Sequence, residues 1–192
     1  MWHKKPSPQR QWHGVAFTAL LAVPALFLAA GLATGQPWRW GIRPSGDISA
    51  KLLIAALTIA PLRALFPTSR PFKWLASQRR AIGLAAFLYA LLHLSIFTAG
   101  IGRLDWIVQG MAFASMWTGW VAFALLAVVA SISSEAARTR LGQWWKRLQR
   151  LSLPAAALVL AHWLLLTRSP VEALLHFAPL VALRATAWLP RR

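Results

Sequence analysis

The sequence contains no cysteine, which excludes disulfides, thiolate metal sites and cysteine nucleophiles. It holds only four acidic residues against 21 Lys and Arg, for a formal net charge of +17. Charged residues of both signs make up 13% of the chain, about half the share in a typical soluble domain. No stretch between the apolar runs is long enough for a separate soluble domain, and there is no internal repeat, low-complexity tract or Gly-rich phosphate loop. Soluble catalytic machinery would therefore belong to other chains.

What the sequence does have is apolar length. Of its 192 residues, 58% are hydrophobic, which argues against disorder. The basic residues lie between long apolar runs and form no patch of their own, so the charge carries no sign of nucleic acid as a partner. Several of the twelve Trp, among them Trp38, Trp40, Trp74, Trp106, Trp144, Trp145 and Trp188, stand at the ends of apolar runs. That is the aromatic belt of a membrane–water interface.

Crossing the hydrocarbon takes about 20 helical residues. Six runs qualify: residues 15–34, 48–66, 81–100, 111–133, 151–167 and 171–189. The sixth is weaker, because it holds Glu172, His176 and Arg184. Pro24, Pro61 and Pro154 are expected to break the first, second and fifth runs. The runs are continuous, whereas strands of a membrane barrel alternate over about 10 residues. The first run is longer than the apolar stretch of about 7–15 residues in a signal peptide, so it reads as a retained helix. The expected fold is an all-α integral membrane protein: a six-helix transmembrane bundle in one domain over residues 1–192, with membrane lipid around it. Sixteen of the 21 Lys and Arg fall on one side, including the Arg79-Arg80 pair and the cluster from Arg138 to Arg150. The positive-inside rule then puts both termini in the cytoplasm of a multi-pass protein.

Ionisable groups inside the hydrocarbon are costly and mark candidate sites. His3 and His13 lie outside the runs; His93, His162 and His176 lie within them. His93 is 13 residues past Arg80, about 20 Å along a helix, and His162 is 12 residues past Arg150, about 18 Å. Both helices run in one direction in this topology, so the two imidazoles reach one depth in the outer half of the membrane. Two such groups suit the axial positions of a haem iron between helices. Ala86 and Ala90 on the His93 face, and Ala155 below His162, are expected to leave room for a flat ring. The plainer alternative is that each histidine hydrogen-bonds a neighbouring helix. No Cys, Asp or Glu at that depth completes a four-ligand zinc site. His176 stands four residues after Glu172, as an i,i+4 pair on one face or as a group beside a haem propionate or a quinone. Arg79 and Arg80 suit propionates or a flavin phosphate, or simply anchor the helix. On these residues alone, a non-redox membrane protein such as a small transporter or an assembly factor remains open, although no matching halves are found.

Four segments carry a family resemblance. They are Leu57-Thr58-Ile59-Ala60-Pro61-Leu62-Arg63; the run with Arg79, Arg80, Gly83, Leu84, Phe87, Tyr89, Ala90 and His93; the run Arg140, Leu141, Gly142, Gln143, Trp144, Trp145; and Ala161-His162. In this order, over roughly residues 45–165, the chain resembles the haem-binding membrane subunit of the bacterial periplasmic protein-methionine-sulfoxide reductase system. This is the MsrQ or YedZ type, within the wider ferric-reductase-like transmembrane group. The resemblance implies haem b with His93 and His162 as iron ligands, FMN, and a location in the bacterial inner membrane. It implies a non-catalytic electron-transfer subunit of an oxidoreductase complex, with no catalytic residue of its own. Electrons would come from a cytoplasmic flavin reductase or from quinol. They would pass to a periplasmic molybdopterin-containing subunit that repairs oxidised proteins, docked on the external loops around Trp38–Arg43 and Arg103–Trp106. A metal-ion reductase of the ferric-reductase type is the other reading in this group, but it would normally carry a fused flavin domain. One position departs from the family pattern. Where the family has an inner histidine, 13 residues before the His162 position, this chain has Gln149. That implies an altered inner site: either one haem in all, or an inner haem held by another group, or an inner flavin.

Overall fold

The computed structural model describes residues 8–167 and 169–186, with the backbone alone for residues 8–11, 13 and 186. His3, Arg168, Trp188 and the last basic residues lie outside the described residues, as does the side chain of His13. Among the described residues the chain forms nine helices and no strand: α1 (Pro8–Ala33), α2 (Trp38–Leu65), α3 (Arg70–Ile101), α4 (Leu104–Gly110), α5 (Ala114–Ser131), α6 (Glu135–Leu141), α7 (Gln143–Gln149), α8 (Ser152–Leu166) and α9 (Pro170–Thr186). Five stretches are long and apolar enough to cross a membrane: Gly14–Ala33, Trp38–Leu65, Arg70–Ile101, Ala114–Ser131 and Gln143–Leu166, the last combining α7 and α8. The protein is a helical, multi-pass membrane protein. The sixth expected run coincides with α9, of which 17 residues are described.

The prolines do not break their helices. α1 runs through Pro24, and α2 runs through both Pro44 and Pro61. Proline removes a donor from the helix ladder, and at Pro24 a neighbouring helix repairs the damage. The Tyr89 hydroxyl accepts from Ala25 N at 2.9 Å and donates to Leu21 O at 2.8 Å. A side-chain oxygen thus sits inside the i→i−4 ladder one residue past the proline. The same contact docks α1 on α3, one turn before His93.

The second helix starts ten residues earlier than the apolar run suggests, at Trp38 and not at residue 48. Its first turns are polar, but their groups are satisfied locally. Ser45 Oγ returns to Gly41 O, and Arg43 pairs with Asp47 one turn on and with Glu172 of α9. Trp38 and Trp40 are therefore not loop residues. Their rings lie against Gly100 and Gly31, where an added Cβ would collide with them. Around Arg103, the other expected docking segment, Arg103 hydrogen-bonds Asp105 and lies over the Trp106 ring. The Arg103 guanidinium holds the exposed Asp105 carboxyl below its usual range.

Two helix pairs dominate the packing, α2 with α3 and α5 with α8. α9 leans on α2 and α8, and α1 on α3 and α2. The central core joins the two pairs through Leu53, Leu57, Ala86, Leu126, Ala155 and Phe177. Ala86 and Ala155 are completely buried here. They let the helices approach closely, as small residues do in membrane bundles. They leave no room for a ring, contrary to the expectation from the helix face. Of those three alanines Ala90 lines the cavity that His93 and His162 share, and Ala86 and Ala155 do not. α3 stops at Gly102, whose φ of 63° and N–H bond to Thr98 O make a left-handed glycine cap.

Candidate functional site: two imidazoles above a basic cavity

His93 on α3 and His162 on α8 meet. Their ring centres are 6.4 Å apart and their planes stand at 87°. They share a cavity of about 610 Å³, walled by residues such as Ala90, Phe97, Phe123 and Val159, with Arg43 and Asp47 also on its lining.

Each imidazole is held by the helix paired with its own. His93 Nδ1 lies 2.7 Å from Ile42 O on α2, and His162 Nδ1 bonds Ser115 O on α5. A carbonyl only accepts, so both Nδ1 atoms carry the proton. In the neutral ring each Nε2 is then an unprotonated lone-pair donor, the form that binds a metal. Among the described residues neither Nε2 has a hydrogen-bond partner.

The two frames match position by position. The accepting carbonyl lies four residues before a glycine in both: Ile42 before Gly46, and Ser115 before Gly119. A buried hydroxyl precedes each glycine and shares its one proton between that carbonyl and the one before it. Ser45 Oγ lies 2.9 Å from Ile42 O and 2.8 Å from Gly41 O, and Thr118 Oγ1 lies 3.2 Å from Ser115 O and 2.7 Å from Ala114 O. The sequence shows no repeat, and the correspondence is one of hydrogen-bond geometry with only the glycine shared. Reasoning from the sequence therefore missed Gly46, Gly119, Ser45 and Thr118. The available signal was a hydroxyl-glycine pair inside an apolar helix, but it gains meaning only when a histidine lands on it.

His176 does not form the expected side-chain pair with Glu172. Its Nδ1 bonds the backbone Glu172 O at 2.8 Å, while the Glu172 carboxylate goes to Arg43 at 3.0 Å. Its ring lies 5.6 Å from that of Trp163, which lines the histidine cavity.

Arg79, Arg80 and Gln149 come together in a second cavity, of about 640 Å³. Arg138, Arg150 and Arg184 also line it. Arg79 Nε donates to Ala56 O, and Gln149 Nε2 donates to Val129 O at 3.4 Å. Arg184 Nη2 reaches Leu57 O, but its Nε is buried with no hydrogen-bond partner. The arginine on the histidine cavity is Arg43, so Arg79 and Arg80 do not serve that cavity. Leu126 lines both cavities and is the wall between them. Among the described residues, no group of three or more His, Cys, Asp or Glu is placed to hold a bare metal ion.

Residues 45–161 match the family described as ferric reductase like transmembrane component. Curated relatives extend the match. One from Rhizobium meliloti is 32% identical, covering 94% of this chain and 88% of its own length. One from Rhodospirillum rubrum is 31% identical, covering 73% and 68%, and one from Bordetella pertussis is 29% identical, covering 91% and 94%. All three are named protein-methionine-sulfoxide reductase heme-binding subunit MsrQ. The chain belongs to the ferric reductase-like transmembrane family and, within it, to the MsrQ type.

Proposed function

We propose that this chain is a single transmembrane unit that binds haem b between His93 and His162 and relays electrons across the bacterial inner membrane. The observation that carries the reading is the paired geometry of the two imidazoles. Two imidazoles on one iron need ring centres about 6 Å apart, from about 2 Å per metal–nitrogen bond and about 1 Å from nitrogen to ring centre on each side. The 6.4 Å separation suits that span. Both Nδ1 atoms are tied to carbonyls, so both rings are held in the ligating tautomer. The apolar walls suit a macrocycle.

A haem bound there supplies one-electron redox chemistry. The protein's part is to hold the imidazoles and exclude water. Ile42 O and Ser115 O orient the rings, while Phe97, Phe123 and Val159 keep the cavity dry. Six helices with both termini in the cytoplasm complete the topology, α9 being the sixth. The second cavity then lies on the cytoplasmic side. We assign to it the FMN that the resemblance implies, because arginine forks match phosphate oxygens. Gln149 offers an amide where a second haem would need an imidazole. A cytoplasmic flavin reductase or quinol would donate electrons on this side. The relatives' name points to a protein-methionine-sulfoxide reductase as partner; the periplasmic molybdopterin-containing subunit that the resemblance implies would accept electrons at the opposite face, around α4 and the start of α2. Leu126, shared by both cavities, lies between them on such a route.

The test is an absorption spectrum of the purified chain, with haem and flavin quantified per protein. A reducible low-spin b-type spectrum is expected, and His93→Ala or His162→Ala each abolishes it. A full spectrum surviving either change overturns the ligand assignment.

A further inference from the structure

We infer that Gly46 and Gly119 are positioning residues, which set the two imidazoles by leaving the one gap through which each reaches its carbonyl. The inference rests on the haem reading and deepens it. In a helix the Cα–Cβ bond tilts toward the N-terminus. A side chain four residues after a carbonyl therefore leans back over that carbonyl. At Gly46 and Gly119 there is none, and the imidazole occupies the space. A Cβ added at Gly46 would lie 3.0 Å from His93 Nδ1 and 3.1 Å from its Cε1. A Cβ at Gly119 would lie 2.7 Å from both Nδ1 and Cε1 of His162. The atoms it meets are those of the ring edge that bonds Ile42 O or Ser115 O.

The adjacent hydroxyls pack beside the same carbonyls. Ser45 and Thr118 each share one proton between that carbonyl and the one before it, with the shorter contact to the latter. Both hydroxyl-bearing residues are buried, at 0% and 4% exposure. A methyl group at Gly119 collides with the His162 ring and pushes it off Ser115 O, whereas at Gly46 the His93 ring must give by a few tenths of an ångström. Nε2 then loses its direction, and the pair loses the spacing that two axial ligands need. Contact is closer at Gly119, so the effect is larger there.

The experiment uses the full chain with Gly119→Ala, Gly46→Ala and Gly14→Ala. Gly14 also lies inside a helix, but its Cβ would meet nothing within 4 Å and it lines neither cavity. Alanine ordinarily favours a helix over glycine, so folding alone predicts three benign variants. The expected result is loss of the low-spin signal in Gly119→Ala, a weaker loss in Gly46→Ala and none in Gly14→Ala. Loss of a ligand's supporting hydrogen bond weakens metal retention by about 10–100-fold, and haem retention falls on that scale. Gly119→Ala keeps the wild-type elution in detergent size exclusion and the wild-type helical circular dichroism, which a merely unfolded chain would not. If Gly119→Ala yields no folded protein, Gly46→Ala decides alone. Unchanged spectra and midpoint potentials in both variants, or equal losses in Gly14→Ala, overturn the inference. A wild-type chain with no low-spin spectrum instead overturns the haem reading beneath it.

Discussion

The two cavities are nearly equal in volume, at about 610 and 640 Å³, and they share Leu126 as a wall. Their chemistry is opposite. The first offers two neutral imidazoles with directed lone pairs and apolar walls. The second offers a cluster of arginines around an amide, with a buried guanidinium nitrogen lacking any partner. Space for a cofactor is therefore common to both ends of the bundle, and side-chain chemistry alone separates them. Directed lone pairs select a metal; a fork of donors selects an oxyanion.

The contrast can be broken by exchanging the chemistry while keeping the volume. The largest effect is expected from His162→Ala or His93→Ala, with the low-spin spectrum abolished and haem per chain falling to background. Next is Gln149→His, which gives the second cavity an imidazole at the family's position. Haem per chain, measured as the pyridine haemochrome, is expected to rise toward twice the wild-type value. An unchanged ratio means that a single histidine does not convert this cavity. A smaller change is expected from Arg184→Met, which removes a cation from the second cavity. Losing one charge-assisted hydrogen bond, about 1.5–3 kcal/mol, weakens flavin retention by about tenfold to a hundredfold. The low-spin spectrum of the histidine pair stays as it was, and a variant that loses both shows that the cavities are not independent. The smallest change is expected from Tyr89→Phe, which touches neither cavity. It removes the hydroxyl inserted beside Pro24 and lowers stability by about 1 kcal/mol, seen in thermal unfolding in detergent without a spectral change.

Much of this arrangement is legible along the chain, because a bilayer imposes long apolar helices. Five of the six expected runs coincide with helices long enough to cross. The histidines were also legible, since an ionisable group amid leucines stands out and counting from Arg80 and Arg150 gave a common depth. What was not legible depends on partners distant in sequence. Gly46 and Gly119 look like any helix glycine until His93 and His162 land on them. Ala86 and Ala155 were read as room for a ring, but helix contact fills that room. The start of α2 was missed because hydropathy counts Arg43 and Asp47 as breaks, whereas their charges are matched within the helix and to α9. Glu172 was read with His176 because they are neighbours along one helix, but its carboxylate bonds Arg43 across the helix packing.

The sequence by itself determined that this chain is a basic, multi-pass helical membrane protein with histidines inside the bilayer. That follows from composition and period, which act through solvent and need no knowledge of neighbours. Only the tertiary structure decided that two of those histidines face each other, each locked to a carbonyl beside a glycine. It alone gathered Arg79, Arg80, Gln149 and Arg184 around a separate cavity. Hydrogen bonds and close contacts act over a few ångströms, so residues far apart in sequence acquire a shared purpose only when packing brings them within that range.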